Sequence, residues 1–287
     1  MGARSASRWR WTESGWSRGS RVVPDETAVA FVVDGDAAGV MMATPCDLED
    51  FALGFALDEG LLTRGDVLGG HDPFGHIGLD VLESELGIEL HLSRPPGSPT
   101  PRARTLTGPS SCGLCGTAAL ADLQRPLPRV DSTLRVELKA LVRAMGALAD
   151  RQPLGAATRA VHAAALWLPG DGIVLVREDV GRHNALDKLS GAVLRRERAE
   201  GRVEADAALA SRGVILLTSR LSVELVEKAA MMGAGVIAAI SAPTALALGR
   251  ADACGITLLA VVRPDGGEVF THPGRIAELD EHAGIQE

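Results

Sequence analysis

The stretch Val214-Ile215-Leu216-Leu217-Thr218-Ser219-Arg220-Leu221-Ser222-Val223-Glu224-Leu225-Val226-Glu227-Lys228-Ala229-Ala230-Met231-Met232, continued to Val262, decides the fold. Val214–Leu217 is a short apolar run closed by polar residues, which reads as a buried strand. Val223–Met232 has helical period. Val236–Ile240 is a second apolar run, Thr244–Cys254 a second helix, and Ile256–Val262 a third strand. This alternation predicts an α/β layer with a largely parallel sheet. Upstream, a helix is expected from about Asn184 to Arg198. Before it, His162–Leu168 and Ile173–Arg177 read as a hairpin about Pro169-Gly170-Asp171-Gly172, and Leu134–Leu148 has helical period.

The first third reads differently. Thr27–Val33 and Gly39–Ala43 form two strands around Asp34-Gly35-Asp36. Thr44-Pro45-Cys46-Asp47 reads as a helix start, with Thr44 as cap, Pro45 at the first helical position and Asp47 as the answering acid. Leu48, Phe51, Ala52 and Phe55 follow at helical spacing, and Gly60 ends the run. Gly69–Gly78 reads as loop and Ile88–Leu92 as a strand. Residues 93–111 contain Pro95, Pro96, Pro99, Pro101 and Pro109, a composition that cannot form a packed element. They are expected to be a mobile loop delivering the chain to Ser110-Ser111-Cys112-Gly113-Leu114-Cys115-Gly116. The organisation expected is a disordered basic arm at 1–21, an α+β portion at 22–92, the mobile loop at 93–116, and an α/β domain at 117–287.

Composition narrows the function classes. The chain has 287 residues, 46% of them hydrophobic, and no Tyr, so its core must be built from Ala, Val, Leu and Ile. The net charge of −8 argues against a broad nucleic-acid face. That charge is uneven: residues 1–21 hold five Arg against Glu13, a net +4, which leaves −12 on the remainder. Trp9, Trp11 and Trp16 are read as incidental to the arm. No apolar run approaches the ~18 residues of a membrane span, and no export signal accompanies the four cysteines. A cytoplasmic protein without membrane or nucleic-acid partners is expected.

Two constellations carry chemistry. In Cys112-x-x-Cys115 one sulfur can attack while the other resolves or assists, with the thiolate as the working form. Structural zinc would need a second ligand pair, and Cys46 and Cys254 are lone residues in predicted helices, so no metal is expected. A thioredoxin-like couple would follow a strand, whereas this pair follows a Pro-rich loop. A reactive sulfur on a swinging loop fits best. The pattern Pro109-x-x-Cys112-x-x-Cys115 touches on the zinc deaminases, but none of the seven His residues is followed two places later by the Glu their chemistry needs.

The second constellation lies where the parallel strands should end, the place at which open α/β sheets bind ligands. There stand Arg177-Glu178-Asp179-Val180-Gly181-Arg182-His183-Asn184, then Thr218-Ser219-Arg220-Leu221-Ser222, then Ser241-Ala242-Pro243-Thr244. Each is a polar or cationic run opening a helix, which suits an anion. The plainer reading leaves Arg177, Arg182 and Arg220 solvated, or ion-paired with Glu178, Asp179 and Glu224. His162 reads as a core histidine and Met231-Met232 as packing.

These residues together resemble the FdhD family, the formate dehydrogenase accessory sulfurtransferases. The resemblance rests on Ser110–Gly116, Arg177–Lys188, Arg220–Lys228, Ser241–Thr244 and Thr271-His272-Pro273, with Thr44–Asp50 and Leu53-Gly54-Phe55 in support, and runs from about 22 to 277. It departs from the family at Thr105–Pro109, where an aromatic residue is usual, and at Arg159, where Gly is common. The resemblance implies a cytidine deaminase-like α/β domain without the zinc, in a homodimer. It implies a sulfur carrier that takes persulfide sulfur from a cysteine desulfurase on Cys112, with Cys115 assisting. The acceptor it implies is a Mo-bis(molybdopterin guanine dinucleotide) cofactor, before that cofactor enters the formate dehydrogenase catalytic subunit. It places the cofactor on Phe270, Thr271, His272, Pro273, Gly274 and Arg275, and the strand-end reading adds His183, Arg220 and Ser241. A cofactor chaperone without sulfur transfer and a dithiol oxidoreductase are the alternatives.

Overall fold

Arg182–Ala199 forms an 18-residue helix, α5, that is buried along most of its length, so apolar surface must meet it on more than one side. The computed structural model describes residues 2–68, 77–94, 126–203 and 207–279. The loop expected at 93–116, with Cys112 and Cys115, lies almost wholly outside these residues.

On one side of α5 is a six-stranded sheet. Its strands are β7 (His162–Leu168), β8 (Gly172–Asp179), β9 (Val214–Leu217), β10 (Val236–Ala239), β11 (Thr257–Arg263) and β12 (Gly266–Thr271). Their order is β12-β11-β10-β9-β7-β8. β9 and β10 are buried at every residue, as strands covered on both faces must be. Ile215 and Leu217 point to the core shared with Leu186 and Leu189 of α5, with α6 (Val223–Met231) and with α7 (Ala245–Cys254). Val214 and Leu216 point to the opposite face, where α3 (Leu138–Leu148) supplies Leu141, Met145 and Leu148. The alternation read from the sequence therefore stands. The expected direction needs correction: only β10 with β9 and with β11 pair in parallel, while β7 runs antiparallel to β8 and β9, and β12 to β11. The β7–β8 and β11–β12 hairpins set β7 and β12 against the rest, and helical crossovers keep β8, β9, β10 and β11 in one direction, although β7 comes between β8 and β9.

On the other side of α5 lies a four-stranded sheet, β4-β3-β6-β5, made from β3 (Thr27–Val33), β4 (Asp36–Ala43), β5 (Gly78–Ser84) and β6 (Gly87–Ser93). Val29, Phe31, Val33, Leu90 and Leu92 face α1 (Leu48–Asp58), with Phe31 stacked on Phe55 at 3.9 Å between ring centroids. The strand β5 was not expected. It alternates weakly and lies mostly exposed at a sheet edge, so its sequence carries little apolar signal. The short helix α2 (Arg64–Leu68) is held by a double contact of Arg64 with Glu197 of α5.

Two local readings are corrected. Thr44 does not cap α1, because its amide and hydroxyl are engaged with Asp179 and Val180. Asp47 occupies the cap position, in the left-handed region at φ 51°, with no side-chain cap bond. The stretch expected as a disordered arm at 1–21 instead enters, from Ala3 onward, an antiparallel ribbon of β1 (Ala3–Thr12) and β2 (Gly15–Pro24). The turn is made possible by Gly15 at φ 105°, and cross-strand pairing of Trp11 with Trp16 closes it. A run of Arg, Ser and Gly carries no apolar alternation, so this hairpin was legible only in its turn and its tryptophans.

Candidate functional site

The carboxyl ends of β8, β9 and β10 and the amino end of β7 meet at one edge of the large sheet, because β7 runs against its neighbours. His162 pairs in register with Asp179, and Ala164 with Leu217. Helices α5 and α6 begin at this edge, bringing Arg182, His183, Ser222 and Glu224 to it. The expected meeting of His183, Arg220 and Ser241 at one edge is thus observed. Ser241 accepts the Val261 amide at 3.5 Å, and Val261 itself has φ 52°. A β-branched residue in that region costs on the order of 1–3 kcal/mol and is held there by the bulge between Ala260 and Arg263.

Unspent polar groups concentrate at this edge. Arg182 Nε, His183 Nε2, Ser222 Oγ and Glu224 Oε2 are buried atoms without a hydrogen-bond partner. His183 Nε2 stands 3.7 Å from Glu224 Oε2. That imidazole is the main cause holding the Glu224 carboxyl down at about 2, against burial, which opposes it. Burial first, then the charges of Arg182 and His183, press the His162 imidazole below its ordinary value. His162 was read as core packing, and the structure sets it half-buried among these groups. Its signal in the sequence was its position at the very start of a strand. Arg220 is exposed, and its neighbour Ser219 donates to the Arg220 carbonyl.

Beneath the edge, Asp179 is a hub with no exposure. It accepts from Thr44 N at 3.0 Å, Gly181 N at 2.7 Å, Asn184 Nδ2 at 2.9 Å and Lys188 Nζ at 2.6 Å. Lys188 also donates to the Thr44 carbonyl and lies 3.8 Å from Cys46 Sγ. Burial raises the thiols of Cys46 and Cys254, which makes both poor nucleophiles at neutral pH. Arg177 does not join the anion site: its guanidinium is committed to Asp50 at 2.6 Å. Neither does Arg177 pair with Glu178, which accepts the Leu154 and Gly155 amides instead.

The second group of expected cofactor residues lies elsewhere. Because β12 is antiparallel to β11, with Thr271 opposite Leu258, Phe270–Arg275 sit at the amino ends of the parallel strands. One chain thus separates them from His183, Arg220 and Ser241 by the length of a strand. Phe270 is 40% exposed. Thr271 is buried and bonds Leu258 N and Ile256 O. His272, at φ 44°, lies 2.9 Å from the Asp252 carbonyl. Pro273 and Gly274 form one short 3₁₀ turn with Arg275. The Arg275 guanidinium is occupied by the carbonyls of Ser132 and Gly255, each at 2.8 Å. Among the described residues no three His, Cys, Asp or Glu side chains gather as a metal-holding group. None of their helices is long and apolar enough to cross a membrane.

Comparison with known proteins places this arrangement. Residues 24–277 match the model of the FdhD/NarQ family. The chain is similar to proteins named Sulfur carrier protein FdhD. With that of Agrobacterium fabrum it is 41% identical over 279 residues, covering 95% of this chain and 96% of the relative. With that of Brucella abortus it is 42% identical over 92% and 93%, and with that of Xanthomonas campestris 44% over 89% and 85%. Among solved structures, a crystal structure from Desulfotalea psychrophila of a protein assigned as a formate dehydrogenase accessory protein superposes with a TM-score of 0.71. That match has 24% identity and covers 96% of this chain and all of that one, so it bears on the fold alone.

Proposed function

Because the chain belongs to the FdhD/NarQ family, we propose that it is a sulfur carrier serving formate dehydrogenase, acting through a persulfide on Cys112. The single observation that carries this reading is the match of residues 24–277 to the family, with relatives of that name at 41–44% identity over most of their length. In the reaction proposed, the Cys112 thiolate attacks the outer sulfur of a cysteine desulfurase persulfide. The new S–S bond forms on Cys112 as the old one breaks, and the desulfurase cysteine leaves as thiolate. The outer sulfur then passes at the neutral level to the reduced molybdenum of the acceptor cofactor, here a substrate; the acceptor supplies the two electrons that make it sulfide, and Cys112 leaves as its thiolate. Cys115 lies three residues away and assists.

The acceptor carries two guanine dinucleotide arms and is polyanionic. The strand-end edge suits it, since Arg182 Nε and Ser222 Oγ are buried there without a hydrogen-bond partner, His183 Nε2 stands 3.7 Å from Glu224, and Arg220 is exposed. The segment Phe270–Arg275 remains part of the reading through the family, although Arg275 is already engaged by the fold. The likeness to cytidine deaminases and the homodimer belong to the same reading.

The test is intact mass after incubation with a cysteine desulfurase and cysteine. Addition of one sulfur that disappears in Cys112→Ala is expected. Loss only in Cys115→Ala moves the acceptor site, and no adduct on the parent overturns sulfur transfer in favour of a cofactor chaperone.

A further inference from the structure

The β1–β2 ribbon separates its chemistry by face. Strand alternation and the register place Trp9, Trp11, Trp16, Arg18 and Val22 on one face, and Arg4, Arg8, Arg10 and Arg21 on the other. The three tryptophans are 66%, 63% and 69% exposed, and Val22 is 41% exposed. Single apolar residues on a surface are ordinary, whereas a contiguous patch of several hundred Å² marks an interaction site. The base of the ribbon is tied down by Arg4 to Asp25 and by Arg21 to the Thr158 carbonyl. Past that tie the strand runs on from Ala6, the partner of Arg21, to Thr12, roughly 20 Å at ~3.3 Å per residue. From Arg8 to Ser20 no residue is buried.

Charge divides along the same line. Residues 1–21 carry +4 and the rest of the chain −12. On the segment Arg8–Ser20, Arg8, Arg10 and Arg18 stand against Glu13 alone. A surface that complements this segment is apolar within and anionic at its rim. The acidic body repels such a surface, but the roughly 20 Å of ribbon beyond the tie is about twice the distance over which charge is felt at physiological salt. The ribbon therefore meets an anionic layer with its own cations before the body is felt.

We infer that the ribbon is an interfacial anchor: its tryptophan face lies in the headgroup layer of a bilayer rich in anionic phospholipid, and its arginines pair with the lipid phosphates. Indole prefers that layer because its body is apolar and its N–H is polar. At about 200 Å² per tryptophan, two-thirds of it exposed, the three rings offer about 400 Å² to the acyl boundary. Each arginine near such a surface strengthens partition by about fivefold, and the long side chains of the far face reach round to phosphate. Apolar area and basic charge together supply the two signals that lasting attachment to a bilayer surface takes. The expectation of no membrane partner rested on the lack of an apolar span, and an element lying in the headgroup layer needs none. Single-stranded nucleic acid also takes tryptophan and arginine, but in grooves where rings and cations face the same strand. Here four of the five arginines stand on the face away from the rings.

Flotation of the full chain with phosphatidylcholine vesicles, with and without about 30% phosphatidylglycerol, tests this. The parent is expected to partition to the anionic vesicles at least about tenfold better than to the neutral ones, and to come off as salt rises. Tryptophan emission moves to the blue on binding and is quenched by brominated acyl chains. The triple variant Trp9→Ser, Trp11→Ser, Trp16→Ser is expected to lower partition by about tenfold or more. Arg8→Ser with Arg18→Ser lowers it by about 25-fold, and as a surface change it keeps the test decisive should the triple variant fold poorly. Arg143→Ser, an exposed charge of the body, leaves partition unchanged. The inference is overturned by a parent that ignores anionic vesicles at low salt, by ribbon variants that bind as well as the parent, or by a parent that binds single-stranded oligonucleotide and not vesicles.

Discussion

Lys188 Nζ and Asp179 Oδ2 stand 2.6 Å apart, and neither side chain has any exposure. Asp179 is the last residue of β8 and Lys188 lies on the second turn of α5, so one pair fastens the sheet edge to the buried helix. It also reaches across to the other half of the molecule, since Lys188 holds the Thr44 carbonyl and Asp179 the Thr44 amide. Two charges without water are tolerable only while both are paired.

Removing one partner leaves the other charge buried. Lys188→Met is expected to lower the unfolding free energy by about 3–5 kcal/mol, measured by urea titration. Asp179→Asn in the same background should recover part of the loss, because the stranded carboxylate is gone.

The crossing of α1 and α5 is as close as backbone allows. A Cβ on Gly54 would lie 1.7 Å from the Asp187 carbonyl oxygen, and one on Gly191 1.9 Å from that of Asp50. Gly191→Ala must push the helices apart and is expected to cost about 3 kcal/mol. Gly249→Ala, with nothing within 4 Å of the new atom, is the control and should be neutral or slightly stabilising. Thermal unfolding of both variants checks this.

Glu224 sets a pH dependence of known sign. Its carboxyl is held at about 2 against an ordinary 4.5, so its contribution is complete above about 4.5 and fades as pH falls toward 2. Glu224→Gln should therefore destabilise by on the order of 2 kcal/mol at pH 7, with the gap from the parent closing below pH 4. In His183→Gln the Glu224 carboxyl should titrate nearer its ordinary value, read by NMR. A gap that widens in acid would contradict the assignment.

Arg275 and Arg220 should separate stability from binding. Arg275→Ala strands the Ser132 and Gly255 carbonyls and is expected to cost about 3 kcal/mol. Arg220→Ala, an exposed change, should stay within about 0.5 kcal/mol, yet weaken binding of guanosine nucleotides by about tenfold, or roughly 1.4 kcal/mol. Fluorescence titration beside denaturant unfolding resolves the two effects. Unchanged nucleotide binding in Arg182→Ala, His183→Gln, Arg220→Ala and Ser241→Ala alike removes the strand-end site.

Most of the large sheet was legible in one dimension, because Val214–Leu217 and Val236–Ala239 are unbroken apolar runs and α5 carries a helical period among its polar residues; β12, mostly half-buried or exposed, was not read. The sequence also determined the family, through long motifs in order. The edge where His183, Arg220 and Ser241 meet was legible too, since parallel strands end where their helices begin.

The tertiary structure decided the rest. Strand direction at the sheet edges depends on which hairpins close, and that reversal carried Phe270–Arg275 to the opposite end from Arg220. Partner choice is likewise long-range: Arg177 found Asp50, and Thr44 found Val180 more than a hundred residues away. Ionic pairs such as Lys188 with Asp179 look like surface charges in one dimension. Only packing removes their water, and that loss of solvent turns an ordinary lysine into the fastening of two halves.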